Sequence, residues 1–125
     1  MVAMLRGFRL PDGIFSHYPV TSFLLDTHHF TPSVLLCLDD DGLNHPIIQF
    51  FKACLMRKGG NGERNCILSP MLAPNAMLRL LPPTRIMVAE IDCLRDQSYE
   101  MALRLLKLQV PCHLILMKDF VHGFH

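Results

Sequence analysis

Two residues whose side chains can act together as acid and base lie in the last third of the chain. Asp92 directly follows a run of mainly apolar residues, 85–91, and His122 comes a few residues after a second run, 112–117. If these runs are neighbouring parallel strands, both side chains reach the same edge of the sheet. A carboxylate there would fix the tautomer of the imidazole and stabilise its protonated form. The pair therefore indicates the general base of a nucleophilic reaction.

The residues between the two runs predict a helix, which makes this part of the chain a β–α–β unit. Residues 85–91 are rich in β-branched and apolar side chains, which predicts a strand buried on both faces. A helix is predicted over 96–108, and its apolar stripe consists of Tyr99, Ala102, Leu103 and Leu106. Two strands joined in this way are parallel and have a right-handed crossover, so the expected fold class is α/β.

The first two thirds of the chain predict shorter and less regular elements. We expect a helical end over 1–8, a strand over 14–18, an irregular surface segment over 19–43 and a short helix over 75–80. A longer helix is predicted over 44–58. Its apolar stripe consists of Ile47, Phe50, Phe51, Cys54 and Leu55. The Phe and Met residues of 47–56 are expected to lie in the core or to line an acyl pocket rather than to form a cofactor site.

The composition of the chain excludes several classes of protein. With 125 residues, 50% hydrophobic and 18% charged, the chain is one domain or part of one and is not disordered. The 12 Lys and Arg balance 11 Asp and Glu without clustering, which excludes nucleic acid and anionic membranes as partners. No apolar run reaches the ~18 residues of a transmembrane segment. Five cysteines, an odd number, predict reduced buried thiols without disulfides and a cytoplasmic location.

Metal and cofactor sites have weak support in the sequence. His28 and His29 with Asp26, or the acidic run 39–41, could suggest metal ligands. Adjacent histidines point in different directions, however, and no Cys-x-x-Cys or His-x-x-x-His pair accompanies them, so solvated loops are favoured. No Gly-rich phosphate loop occurs either. We therefore expect no cofactor and no metal.

Each residue near the predicted site also has a plainer interpretation. Asp92 and His122 could be a helix-capping carboxylate and a loop histidine, since Asp is common before helices. Asp96 is interpreted as an N-terminal helix cap that supports the acid loop. Cys93 lacks the glycines of a tight nucleophile turn, so a packing thiol is favoured over a substitute nucleophile.

Several short motifs occur together in an order and spacing that resemble a known family. The chain resembles the C-terminal catalytic region of the hormone-sensitive-lipase group of ester hydrolases, which have an α/β-hydrolase fold. The resemblance covers nearly the whole chain and is weakest over 20–66. The motifs are Pro11-Asp12-Gly13-Ile14, Tyr18-Pro19, Leu68-Ser69-Pro70-Met71-Leu72-Ala73-Pro74, Met77-Leu78, Leu81-Pro82-Pro83, Asp92-Cys93-Leu94-Arg95-Asp96 and His122-Gly123-Phe124.

The resemblance implies roles for the two candidate residues. Asp92 matches the catalytic acid of an Asp-Pro-Leu-x-Asp motif, and His122 matches the catalytic base of His-Gly-Phe. Cys93 stands where the family usually has proline, which could loosen the turn that aims the acid. Residues 57–66 occupy the place of a long regulatory insertion in vertebrate members, so control by phosphorylation is not transferred. The implied substrate is an acylglycerol or another lipid ester.

The nucleophile of such an enzyme is missing from the sequence. Neither Gly-x-Ser-x-Gly nor a His-Gly-Gly-Gly-type oxyanion loop occurs, and no serine has the flanking glycines; the serines are Ser16, Ser22, Ser33, Ser69 and Ser98. The resemblance therefore implies the C-terminal half of an α/β-hydrolase domain over 1–125, which is inactive by itself and whose expected partner is another chain that completes the sheet. Lipid droplets are an expected location. The alternative is a non-catalytic protein that binds a lipid or a partner.

Overall fold

A parallel three-stranded sheet organises the chain. The computed structural model describes residues 1–24, 31–55 and 64–124. Its strands are β1 (Ile14–His17), β2 (Thr84–Ile91) and β3 (Cys112–Val121), and they lie side by side in that order. Both strand pairs are parallel, which confirms the predicted α/β class and the β–α–β unit at the end of the chain.

Five α-helices accompany the sheet in the described residues. They are α1 (Val2–Leu5), α2 (Pro32–Leu36), α3 (His45–Leu55), α4 (Asn75–Leu78) and α5 (Arg95–Lys107). A 3₁₀ turn, Pro70–Leu72, precedes α4. Gly7, with a φ of +67°, follows α1 at the position that the sequence predicts. None of the helices in these ranges is long and apolar enough to cross a membrane.

Helix α2 corrects the prediction that 19–43 is irregular. Thr31 is its N-cap, and the side-chain oxygen of Thr31 accepts the amide of Val34 at 3.4 Å. Pro32 follows at the first helical position, where its missing amide has no partner to lose. The signal was therefore present in the sequence, but the helix is too short to show an apolar period. Residues 25–30 lie outside the described ranges.

The main core forms where α5 packs on one face of β2. Ile86 and Val88 point to this face and are buried, whereas Arg85 is exposed on the other. The prediction that this strand is buried on both faces is therefore right only in part, because Ala89 on the face of Arg85 is fully buried. The buried core on the α5 side includes Leu78, Ile86, Val88, Met101, Ala102, Leu105 and Val110.

The buried face of α5 differs from the predicted stripe. Tyr99, Leu103 and Leu106 are exposed, and the buried positions are Gln97, Ser98, Met101, Ala102 and Leu105. Both sets satisfy spacings of three and four, so periodicity alone did not choose between them. The buried face contains the small Ser98, whose hydroxyl donates to the carbonyl of Pro19 at 3.3 Å. Contact with the segment after β1 thus decides the orientation of the helix.

Helix α3 also buries less of its apolar stripe than predicted. Ile48 is its one buried residue in the structure, while Phe50, Phe51 and Leu55 are exposed. The helix is described to Leu55, so the predicted end at 58 lies outside the described residues. Of the two predicted alternatives for the phenylalanines, a core position therefore does not hold for Phe50 or Phe51. Cys54, also in this stripe, is exposed as well. Cys37, Cys93 and Cys112 are buried, as expected.

A pair of consecutive leucines in α5 tests this orientation. Leu105 is 1% exposed and Leu106 is 52% exposed. Leu105→Ala is expected to lower the free energy of unfolding by about 2–5 kcal/mol because it leaves a cavity in the core. Leu106→Ala is expected to change it by less than about 0.5 kcal/mol. Equal losses in urea unfolding would contradict the packing of α5 described above.

Strand β1 lies at an edge of the sheet, and Phe15 on it is exposed. An apolar edge strand pairs readily with other chains, so the isolated chain is expected to self-associate or aggregate. Phe15→Lys should reduce the association because it adds charge to the edge. The measurement is sedimentation velocity of both proteins. A parent chain that is monodisperse and melts cooperatively as a monomer would refute the expectation.

Candidate active site

An irregularity in β3 aligns the two candidate residues. Ala89 pairs with Met117, but Ile91, two positions further on β2, pairs with Val121, four positions further on β3. Two extra residues therefore bulge from β3. Without them, the residue beside Asp92 would be Phe120, and His122 would lie about 6.6 Å further along the strand direction. The predicted strand 112–117 is too short because no local pattern indicates that pairing resumes after the bulge.

The side chains of Asp92 and His122 meet at the carboxyl edge of the sheet. Nδ1 of His122 lies 2.9 Å from Oδ2 of Asp92. The Asp92 side chain is fully buried, and the His122 side chain is 26% exposed. With an ionised carboxylate, this hydrogen bond requires the proton on Nδ1 and leaves the lone pair of Nε2 free to accept one. The geometry is that of an imidazole base with an orienting acid.

The turn after β2 holds the Asp92 carboxylate from its other side. Oδ1 of Asp92 accepts the backbone amide of Leu94 at 2.8 Å, and the carbonyl of Asp92 accepts the amide of Arg95 at 3.0 Å. A buried carboxylate is tolerated only when its oxygens are hydrogen-bonded. The start of α5 and the end of β3 thus supply one partner each.

Asp96 supports the acid loop but does not cap its own helix, which corrects the prediction. The N-cap of α5 is Leu94, without a side-chain cap. Oδ2 of Asp96 instead accepts the amide of Ser33 at 2.8 Å, and the Ser33 hydroxyl donates to the carbonyl of Cys93 at 3.2 Å. Burial acts to raise the pKa of Asp96, but the bonds from Ser33 and Arg95 outweigh it and the pKa is lowered. Its charge therefore ties α2 to the acid loop.

Cys93 is a buried thiol on the acid loop. Its Sγ donates to the carbonyl of Leu43 at 3.2 Å. Burial, followed by the nearby Asp92 carboxylate and Cys37, raises the pKa of Cys93 to about 12. A thiol with this pKa stays protonated at neutral pH, which agrees with a packing role and argues against a nucleophile.

Tyr18 is a site residue that the sequence analysis missed. It follows β1 with a φ of +42°, and its hydroxyl donates to the carbonyl of Phe124 at 2.5 Å. Its ring centroid lies 5.1 Å from those of both His122 and Phe124. Tyr18 therefore holds the loop that carries the base. Its position at the carboxyl end of a strand on the same edge as Asp92 was the available signal.

Gln97 fixes the segment that follows β1 and was also missed. Its Oε1 accepts the backbone amides of Thr21 and Ser22, each at 2.8 Å. Phe23 is held next to them because its amide donates to the Ser69 hydroxyl at 2.9 Å. Gln97, on the buried face of α5, thus positions Thr21 and Ser22 in the segment that follows β1.

An apolar pocket of about 390 Å³ opens beside His122. Its wall on the sheet side includes Tyr18 and Leu94, and its opposite wall is the face of α3 that carries Phe51, Cys54 and Leu55. These α3 side chains are exposed in the pocket, which accounts for their absence from the core. Pocket lining therefore fits Phe51, Cys54 and Leu55, whereas Ile47 packs against a core cluster and Phe50 is exposed outside the pocket.

Three of the serines, and Asp40 of the acidic run, have structural partners. Ser33, Ser69 and Ser98 are buried and hydrogen-bond to neighbouring loops. Asp40, in the acidic run, accepts the amide of Gly42 at 2.9 Å. Within residues 1–24, 31–55 and 64–124, no group of three His, Cys, Asp or Glu is placed to hold a metal ion. Asp26, His28 and His29 lie outside these ranges.

Comparisons with known proteins agree on one fold. A family model described as alpha/beta hydrolase fold matches residues 1–125. The chain is 41% identical to human hormone-sensitive lipase over 61 residues, a segment that covers 49% of this chain and 6% of the lipase. The match therefore concerns a small part of that protein.

Two solved esterase structures superpose on nearly the whole chain. Carboxyl esterase 2 from the fungus Tuber melanosporum is 27% identical, with a TM-score of 0.84 over 98% of this chain and 39% of its own. A thermostable esterase from Pseudomonas putida is 23% identical, with a TM-score of 0.85 over 98% and 37%. The chain thus spans less than two fifths of either esterase.

Thiol labelling tests the environment of the acid loop. At about pH 8, iodoacetamide is expected to modify the exposed Cys54 and to leave Cys93 unmodified in the folded chain, because a thiol with a pKa of about 12 has almost no thiolate. Peptide mass spectrometry measures both sites, and labelling in denaturant is the control in which both react. Equal rates for the two thiols in the native protein would contradict the burial of Cys93.

Proposed function

The chain belongs to the alpha/beta hydrolase fold family, and from this premise we propose that it supplies the acid and the base of a carboxylic-ester hydrolase. His122 is the catalytic base, and Asp92 orients it. The observation that carries the proposal is the 2.9 Å hydrogen bond between the buried carboxylate and Nδ1 of the ring. The order of an acid followed by a histidine also agrees with the order of α/β-hydrolase triads.

In this reaction Nε2 of His122 moves a proton between two oxygens. It accepts the proton of a serine hydroxyl while the serine oxygen bonds to the ester carbonyl carbon. The imidazolium then gives this proton to the departing alcohol, and an acyl-enzyme remains. Water, deprotonated by the same nitrogen, then attacks the acyl carbon, and the imidazolium returns the proton to the serine oxygen as the acid departs. Asp92 stays ionised throughout and stabilises the imidazolium.

The proposed substrates are acylglycerols or other lipid esters. The pocket beside His122 supports this choice because its α3 wall is formed by Phe51, Cys54 and Leu55, which can pack on an acyl chain. The similarity to hormone-sensitive lipase over 61 residues supports it as well. A cytoplasmic location, at lipid droplets, is part of the same proposal.

The nucleophile and the oxyanion donors are the missing part of this site. Loss of a triad serine costs about 10⁶ in kcat, which corresponds to about 8 kcal/mol of activation free energy. We therefore propose that these 125 residues alone do not hydrolyse esters measurably, and that another stretch of polypeptide completes the sheet beside β1. The alternative is a protein that binds a lipid or a partner without turnover, and the apolar pocket would serve that function too.

A chimaeric enzyme tests the catalytic proposal. Residues 1–125 are placed behind the remaining, nucleophile-bearing part of the Tuber melanosporum esterase, which this chain matches over 39% of its length. The chimaera is expected to hydrolyse p-nitrophenyl butyrate, and His122→Ala should lower kcat at least about 10³-fold. His113→Ala, at an exposed histidine on β3, is the matched control and should retain the activity.

Two outcomes would count against catalysis. One is a folded chimaera that does not hydrolyse the ester, and the other is a His122→Ala variant as active as its parent. In the first case, binding of a fluorescent fatty acid to the pocket would favour the non-catalytic alternative. The unmodified chain is expected not to react with a fluorophosphonate probe, and labelling of it would refute its inactivity.

A further inference from the structure

Glu90 lies on β2, two residues before Asp92, and contacts the strand that carries the base. Its Oε2 accepts the backbone amide of Asp119 at 2.9 Å. Asp119 is one of the residues of the β3 bulge and has a φ of +62°, in the left-handed region. This amide therefore donates to a side chain of the neighbouring strand, at the residue where β3 departs from regular pairing.

The left-handed conformation of Asp119 needs external support. Residues with a β-carbon are strained there, although Asp tolerates it better than most. A regular strand would continue from Met117 with paired residues and would bring Phe120 beside Asp92. The hydrogen bond from the Asp119 amide to Glu90 favours the bulged alternative, in which His122 takes that position.

We propose that Glu90 is a positioning residue for His122. Its carboxylate fixes the bulge, and the bulge sets the register in which the imidazole reaches Asp92. The catalytic meaning of this role rests on the proposed function, but the geometric role does not. Tyr18 holds the same loop from its far end through Phe124, so the histidine is held on both sides.

The backbone of Glu90 is also connected to the acid loop. Nη1 of Arg95 donates to the carbonyl of Glu90 at 2.8 Å, and Nε of Arg95 donates to Oδ1 of Asp96 at 3.1 Å. Glu90 thus contacts the start of α5 through its carbonyl and the bulge of β3 through its carboxylate. One residue links the two loops whose side chains must meet.

Two substitutions of nearly equal size distinguish loss of the hydrogen-bond acceptor from a change in side-chain packing. Glu90→Met removes the acceptor, whereas Glu90→Gln keeps an amide oxygen that can accept from Asp119. In the ¹⁵N-labelled full chain, with Phe15→Lys in every variant to limit association, Glu90→Met is expected to speed hydrogen exchange of the Asp119 amide about tenfold. It should also abolish the downfield proton resonance of His122 Nδ1–H. Glu90→Gln should retain that resonance and keep the hydrogen exchange of the Asp119 amide slow.

A compensating substitution and a surface control complete the test. Asp119→Gly, combined with Glu90→Met, should restore the Nδ1–H resonance because glycine adopts a positive φ without strain. This double variant also replaces Glu90→Met if the single variant does not fold. Glu100→Ala, at an exposed carboxylate of α5, should leave both signals unchanged.

The proposal is overturned if Glu90→Met keeps the resonance and the slow exchange, if Glu90→Gln loses both to the same extent, or if the double variant does not recover the resonance. These readouts need no ester. An inactive chimaera with an intact Nδ1–H resonance would therefore refute the catalytic proposal and leave the role of Glu90 standing. Loss of the resonance in Glu90→Met supports that role whether or not the chimaera is active.

Discussion

The buried Asp92 carboxylate is the constraint on which the site depends. A charge removed from water in this way costs several kcal/mol unless hydrogen bonds replace the water. The amide of Leu94 supplies one of these bonds and the ring of His122 supplies another. The bond from Leu94 requires a tight turn into α5. The bond from His122 requires β3 to end level with β2 at the carboxyl edge of the sheet. The two ends of the β–α–β unit are therefore coupled through one side chain.

The elements around this pair restrict where the acid and the base can move. Ser33 connects α2 to the acid loop, with Asp96 as its charged partner, while Cys93 bonds to the segment before α3. Tyr18 fixes the base loop from the end of β1. The apolar pocket lies between these supports. Its α3 wall is thus connected to the residues that position the reacting nitrogen.

The sequence predicted the parts of this arrangement that follow from local pattern. Apolar runs that end in polar residues gave the strands and placed Asp92 and His122 at their ends. The buried face of α5 was not predictable, because two stripes share a helical period and contact with the segment after β1 selects one. The bulge in β3 was not predicted either. It is stabilised by Glu90 on another strand, and Asp119 takes a positive φ that a glycine would have signalled.

A double-mutant cycle on Asp92 and His122 tests the central contact most directly. Asp92→Ala, His122→Ala and the double variant are compared by urea unfolding, and the bond from Asp92 to Leu94 cancels because Asp92→Ala removes it in both backgrounds. A hydrogen bond to a buried charge predicts a coupling free energy of more than about 1 kcal/mol. If the losses of unfolding free energy in the two single variants sum to that of the double variant within about 0.3 kcal/mol, the two side chains do not interact.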